Sequence, residues 1–155
     1  MSYANDMPSV QMAARTDAGL ASELRLSVMR LRRRLSNERH PDNPLSMGAM
    51  AVLGCLFRHG DLTVGELAAM ERVQPPSMTR TVNALEAGGY VVRRAHETDG
   101  RQVVVVLSER GRTTLLADRA RRDAWLARRL RDLTHDERDT LRRAAPLLER
   151  LAASD

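Results

Sequence analysis

Ser77, Thr79, Arg80 and Asn83 lie close together in the segment PPSMTRTVNALEA, and their side chains suit contact with nucleic acid. Arginine can bond both acceptors of a guanine edge in the major groove, and asparagine can bond adenine there. Serine and threonine suit phosphates or base edges. At a helical pitch of about 100° per residue, Pro76, Thr79, Arg80 and Asn83 point to one side, with Ser77 at its edge. Met78, Val82 and Leu85 form the opposite, apolar stripe. Taken alone, the polar side would also describe an ordinary solvated helix face. What precedes and follows it favours the nucleic-acid reading.

The segment after this helix runs from Tyr90 to Ala95, is β-prone and carries Arg93 and Arg94. A valine-rich run, Gln102 to Leu107, follows after HETDGR. Asp-Gly is a strong turn signal, so the two runs predict a two-stranded hairpin with a polar, basic tip. An arginine at such a tip, here Arg101, can enter a minor groove, where the negative potential attracts it. Asp99 is expected to orient Arg101 through a charge-assisted pair, or simply to form the turn. Arg93 and Arg94 join the candidate DNA-contacting set.

Other chemistries find little support. His40, His59, His96 and His135 show no metal-ligand spacing with one another or with Cys55. There is no Gly-rich phosphate loop, nucleophile elbow or Ser/His/Asp order, so neither an enzyme nor a cofactor is expected. Cys55 sits mid-helix among apolar neighbours, where a thiol is dulled. A formal net charge of +5 suits nucleic acid or another acidic surface. All 25 basic residues are arginine, a bias that fits GC-rich coding as well as any function. The N-terminus lacks a basic start followed by an apolar run, and no stretch is long and apolar enough to span a membrane. The cytoplasm is the expected compartment, with association to the nucleoid when DNA is bound.

The elements that must position these residues follow from periodicity and caps. Residues 1–16 have no period and read as a flexible arm. A helix is expected from Asp17 to about Glu38, striped by Leu20, Leu24, Val28, Leu31 and Leu35. Ser46 should cap the next, which carries Met50, Leu53, Leu56 and Phe57 inward and stops at Gly60. Thr63 and Glu66 have capping-box spacing for a short helix to about Glu71. Pro75 and Pro76 suit the first turn of the next helix, which Gly88 and Gly89 stop near Ala87. Ser108 should cap a helix to about Arg131 with an apolar stripe at Leu115, Leu116, Ala120, Ala127 and Leu130. Its arginines, interleaved with Asp118, Asp123 and Asp132, read as a solvated face. Thr134 and Glu137 form a second capping box, and Pro146 should kink or break the final helix.

The expected fold is mainly α with a small β-hairpin wing. A winged helix-turn-helix DNA-binding domain over 45–108 is flanked by a helical dimerisation region, 17–44 and 109–155. The helix after the wing, roughly 35 Å long, overshoots so compact a middle. A second copy of the chain is the simplest cover for its stripe. Two-fold symmetry would then set two recognition helices about 34 Å apart on a palindromic site of double-stranded DNA.

Several short motifs, Ser77-Met-Thr-Arg80, Leu85-Glu86-x-x-Gly89-Tyr90-x-x-Arg93 and Asp99-Gly-Arg101, precede a strand ending in Leu-Ser. Together they resemble the MarR family of bacterial transcription regulators over roughly 45–110. The resemblance implies a triangular homodimer with Ser77, Thr79, Arg80 and Asn83 on the recognition helix. It puts Arg93 at the base of the wing and Arg101 at its tip, with Asp99 as Arg101's partner. The double proline at 75–76 departs from the polar pair more usual in the family. The resemblance also implies a regulator, most often a repressor, released by a small lipophilic effector. Here the pocket would be aliphatic, lined near Met50, Phe57 and Trp125. Two alternatives stay open: a winged helix used for protein–protein contact, and a thiol-based redox switch through Cys55.

Overall fold

The computed structural model describes residues 16–153. Residues 1–15, nearly all of the expected arm, lie outside the described residues, as do 154–155. The chain divides into two units, Met1–Asn37 and Glu38–Asp155. In the first, α1 (Asp17–Asn37) starts on Thr16, whose hydroxyl accepts from the Gly19 N–H at 3.1 Å. No residue of α1 is buried, and its stripe at Leu20, Leu24, Val28 and Leu31 is exposed.

The second unit begins with a capped helix. Ser46 accepts from the Ala49 N–H, and α2 (Met47–His59) runs through the core to Gly60. A two-residue strand follows, β1 (Leu62–Thr63), then α3 (Val64–Met70). Thr63 pairs with Val104 across the sheet and also caps α3. Its hydroxyl accepts from Glu66 N at 3.1 Å, and the Glu66 carboxylate accepts from Thr63 N at 2.7 Å. The Thr63 backbone N–H first, and then the Thr63 hydroxyl beside it, hold the Glu66 carboxyl below the usual carboxylate range. The turn to α4 (Pro75–Ala87) puts Arg72 at φ 52. α4 ends at Gly88 and Gly89, of which Gly89, at φ 76, takes the left-handed position.

The wing is broader than a hairpin. β2 (Val91–Ala95) and β3 (Val103–Leu107) pair antiparallel, with Val91 opposite Leu107 and Ala95 opposite Val103. β1 adds to the other edge of β3, giving a three-stranded sheet in the order β1-β3-β2. Two residues cannot show a period of two, which is why sequence pattern predicts only two strands. As the central strand, β3 is covered on both faces, and Val104 and Val105 are both buried.

α5 (Glu109–Arg131) starts on Ser108, whose hydroxyl donates to Gly89 O at 2.6 Å and accepts from Gly111 N at 3.0 Å. Its buried residues are Gly111, Leu115 and Asp118, so the core-facing edge differs from the expected stripe. Leu116 is exposed, as are Ala120 and Ala127. Asp118, expected on a solvated face, is 0% exposed. Its carboxylate accepts from His40 N at 3.1 Å and from Asn43 Nδ2 at 3.0 Å, and Arg122 Nη2 lies 3.5 Å away. His40 and Asn43 come from the 38–44 link, so the charge pattern along α5 cannot announce them. α6 (His135–Ala153) begins on the Thr134–Glu137 capping box and continues through Pro146 rather than breaking there. A proline removes one hydrogen bond, and the turns on either side keep theirs. α6 buries none of its residues.

The core is drawn from residues between Ala49 and Leu115. Leu53, Leu67, Val82, Val91 and Val105 are completely buried in it. Two substitutions test how it is closed. A Cβ at Gly111 would meet Tyr90 O at 2.1 Å, a backbone atom that cannot swing away. Gly111→Ala is therefore expected to destabilise by about 3 kcal/mol or more in urea unfolding. Asp118→Ala leaves half-buried donors without their acceptor, and about 2–4 kcal/mol is expected to be lost in the same assay. Wild-type stability in both variants would contradict these contacts.

Candidate nucleic-acid interface

α4 is anchored by Met78, Val82 and Leu85, all 2% exposed or less. That anchoring leaves Pro76, Thr79, Arg80 and Asn83 exposed and Ser77 half-buried. The outward side chains are partly wired to one another and to the helix. Arg80 Nη2 donates to Ser77 Oγ at 3.2 Å, and Thr79 Oγ1 donates to Pro75 O at 3.0 Å.

Strand alternation sends Arg93 and Arg94 to opposite faces of the sheet. Arg93 turns to α4: Nη1 pairs with Glu86 Oε2, and Nη2 donates to Asn83 Oδ1 at 2.7 Å. Two of the sequence-predicted residues, Asn83 and Arg93, are thus brought into contact. Glu86, which sequence reasoning missed, completes the link. It stands beside Leu85 in the Leu-Glu-x-x-Gly motif, seven positions before Arg93, which is the available signal. Arg94 pairs instead with Asp61 and lies 3.8 Å from Glu97, so it ties the start of β1 to the wing.

The wing tip is closed by main-chain bonds. Asp99 Oδ1 accepts from the Arg101 backbone N–H at 3.1 Å, and Asp99 O accepts from Gln102 N at 3.0 Å. The expected charge-assisted pair with the Arg101 side chain is replaced by this capping bond, because a carboxylate two residues upstream reaches the nearer backbone donor first. Arg101 itself is exposed. His96 supports the turn from the other side: its Nδ1 accepts from Thr98 N at 3.2 Å and Asp99 N at 3.3 Å.

The residues expected near an effector pocket sit as follows. Met50 is buried and its sulfur accepts from Asn43 Nδ2 at 3.4 Å. The half-buried Phe57 ring is faced by the Arg112 and Arg119 guanidinium groups at 5.1 and 4.8 Å. Trp125 is half-buried with Arg129 5.5 Å from its ring centre. Cys55 is 1% exposed, with its thiol 3.9 Å from the Met70 sulfur. Burial first, then the nearby Glu71 charge, pushes that thiol's pKa up.

Residues 45–103, from the start of α2 through the wing tip, match the profile of the MarR family. An HTH-type transcriptional regulator of Mycobacterium bovis is 48% identical over 133 residues, covering 86% of this chain and 92% of that protein. The chain belongs to the MarR family. Solved structures agree with its winged helix-turn-helix fold. A transcriptional regulator protein of Pseudomonas aeruginosa superposes with a TM-score of 0.80 at 39% identity, over 90% of this chain and 97% of that one. A MarR family protein of Bacillus stearothermophilus does so at 0.78 and 26% identity, over 90% and 97%. This MarR-family chain is accordingly a DNA-binding transcriptional regulator and not an enzyme. Among its described residues no helix is long and apolar enough to cross a membrane.

The buried, proton-retaining thiol gives a direct prediction. At pH 8 the folded protein should react with a disulfide reagent at least tenfold more slowly than the urea-unfolded chain, because reaction needs an exposed thiolate. Equal rates would revive the redox reading.

Proposed function

We propose that the protein acts as a homodimeric repressor in the cytoplasm, with two copies of α4 in successive major grooves of a palindromic site and Arg101 in the flanking minor grooves. The observation that carries this reading is the outward face of α4. Burial of Met78, Val82 and Leu85 leaves Ser77, Thr79, Arg80 and Asn83 for contact with DNA. Arg93 couples that face to the wing.

The dimer is supported by exposed apolar surface among the described residues. Leu116 on α5 and Leu141, Leu147, Leu148 and Leu151 on α6 are exposed, and so is the α1 stripe. Apolar area on this scale is a usual mark of an interface. A dimer over two half-sites one turn apart would block polymerase at an overlapping promoter, which gives repression as the sign. The 17–44 and 109–155 dimerisation region and the 45–108 DNA-binding domain keep their expected roles in this reading. We further propose release by a small lipophilic compound near Met50, Phe57 and Trp125, where a ligand could displace the arginines now facing the rings. Such a ligand must bind the DNA-free geometry better than the DNA-bound one.

The test is a binding titration on the DNA upstream of the protein's own gene, against a scrambled fragment, at several salt concentrations. Preference for the native fragment and a steep fall with salt are expected. Arg80→Ala should cost about 1–3 kcal/mol there and relax base preference, while Arg101→Ala should weaken binding with less change in major-groove preference. Variants that bind like wild type would refute the site. Weak binding without salt dependence would favour a protein-contact role.

A further inference from the structure

The bond between Arg93 and Asn83 bears on which base the recognition helix can read. An asparagine amide recognises adenine by using both ends: Oδ1 accepts from N6–H while Nδ2 donates to N7. In this protein Oδ1 is already engaged. Arg93 Nη2 donates to it at 2.7 Å, and the Glu86 carboxylate pins the same guanidinium through Nη1. A guanidinium has donors only, so the amide atom facing it must be the oxygen and Nδ2 must be the free end. An incoming adenine N6–H could use only the second lone pair of that oxygen, beside a guanidinium already held on the first. Guanine offers N7 and O6, two acceptors, to the same free N–H donors.

The neighbouring side chains share this polarity. Ser77 Oγ accepts from Arg80, which leaves the serine O–H free to donate. Arg80 keeps its remaining N–H groups. Thr79 differs, since its O–H is spent on Pro75 O and only lone pairs face outward. Donors therefore dominate the face at three of its four polar positions, Ser77, Arg80 and Asn83.

We propose that the Glu86–Arg93 pair sets the base specificity of Asn83, fixing it as a donor that selects guanine over adenine at one position of each half-site. Arg93 and Glu86 are positioning residues in this step, and the proposal rests on the DNA-reading role given to α4.

The experiment is selection of the preferred site from a random duplex library, followed by binding to duplexes carrying each base at each position. Wild type should prefer guanine to adenine about fivefold or more at one symmetric pair of positions, the gain expected of one well-made hydrogen bond. Asn83→Ala should erase the preference at that pair alone. Arg93→Met frees Oδ1 and should turn the preference there towards adenine, whatever uniform affinity is lost with the positive charge. Glu86→Gln, an exposed and conservative change, should shift it the same way by less. It serves as the readout if Arg93→Met fails to fold.

Adenine preferred by wild type at the Asn83-dependent pair would overturn the proposal. So would guanine preference that survives both the Arg93 and Glu86 variants. Loss of affinity without any change of preference would reduce the pair to a structural link. If Asn83→Ala changes no position while Arg80→Ala does, this inference falls and the reading of α4 stands. If wild type selects no site, both fall.

Discussion

Burial of one side of α4 is the constraint on which the rest depends. Met78, Val82 and Leu85 are inserted between α2, α3 and the sheet, and each contributes roughly 1.5–3 kcal/mol by leaving water. A rotation of the helix by one residue, about 100°, would expose that stripe and bury polar atoms in its place. The outward direction of Thr79, Arg80 and Asn83 is therefore a consequence of core packing. The wing then inherits its position from the same helix, because Arg93 reaches from β2 to Glu86 and Asn83.

A second anchor works by charge. Asp118 brings a buried carboxylate to the 38–44 link and satisfies one main-chain and one side-chain donor there. A buried charge is expensive unless its acceptor sites are used, and these partners make the burial tolerable. Among the described residues, everything the second unit buries lies between Ala49 and Asp118. α6 has apolar residues at helical spacing, and Leu141, Leu147, Leu148 and Leu151 among them are exposed. The molecule thus combines a well-buried core, proposed to present the DNA-reading face, with exposed apolar helical surface that a second copy is proposed to complete.

Much of this was legible in the sequence where the signal is local. Caps at Ser46, Thr63, Ser108 and Thr134 mark helix starts, and all four form the expected bonds. The double proline and the Gly88-Gly89 pair bracket α4 at Pro75–Ala87. What stayed hidden depends on partners distant in the chain. β1 is too short to show a period and exists because β3 has a free edge. Asp118 reads as one more charge on a basic helix until the link meets it 78 residues away in sequence. In the candidate site, the outward residues of α4 follow from periodicity, but the bonds that commit Asn83 to Arg93 and Asp99 to a backbone amide require coordinates.

The most direct test of the account is methylation interference on the selected operator, since methyl groups on guanine N7 stand in the major groove. Methylation should block binding at two clusters about one helical turn apart, roughly 34 Å between centres, where the two copies of α4 are proposed to enter. Binding that tolerates methylation throughout, or interference at a single cluster, would contradict it.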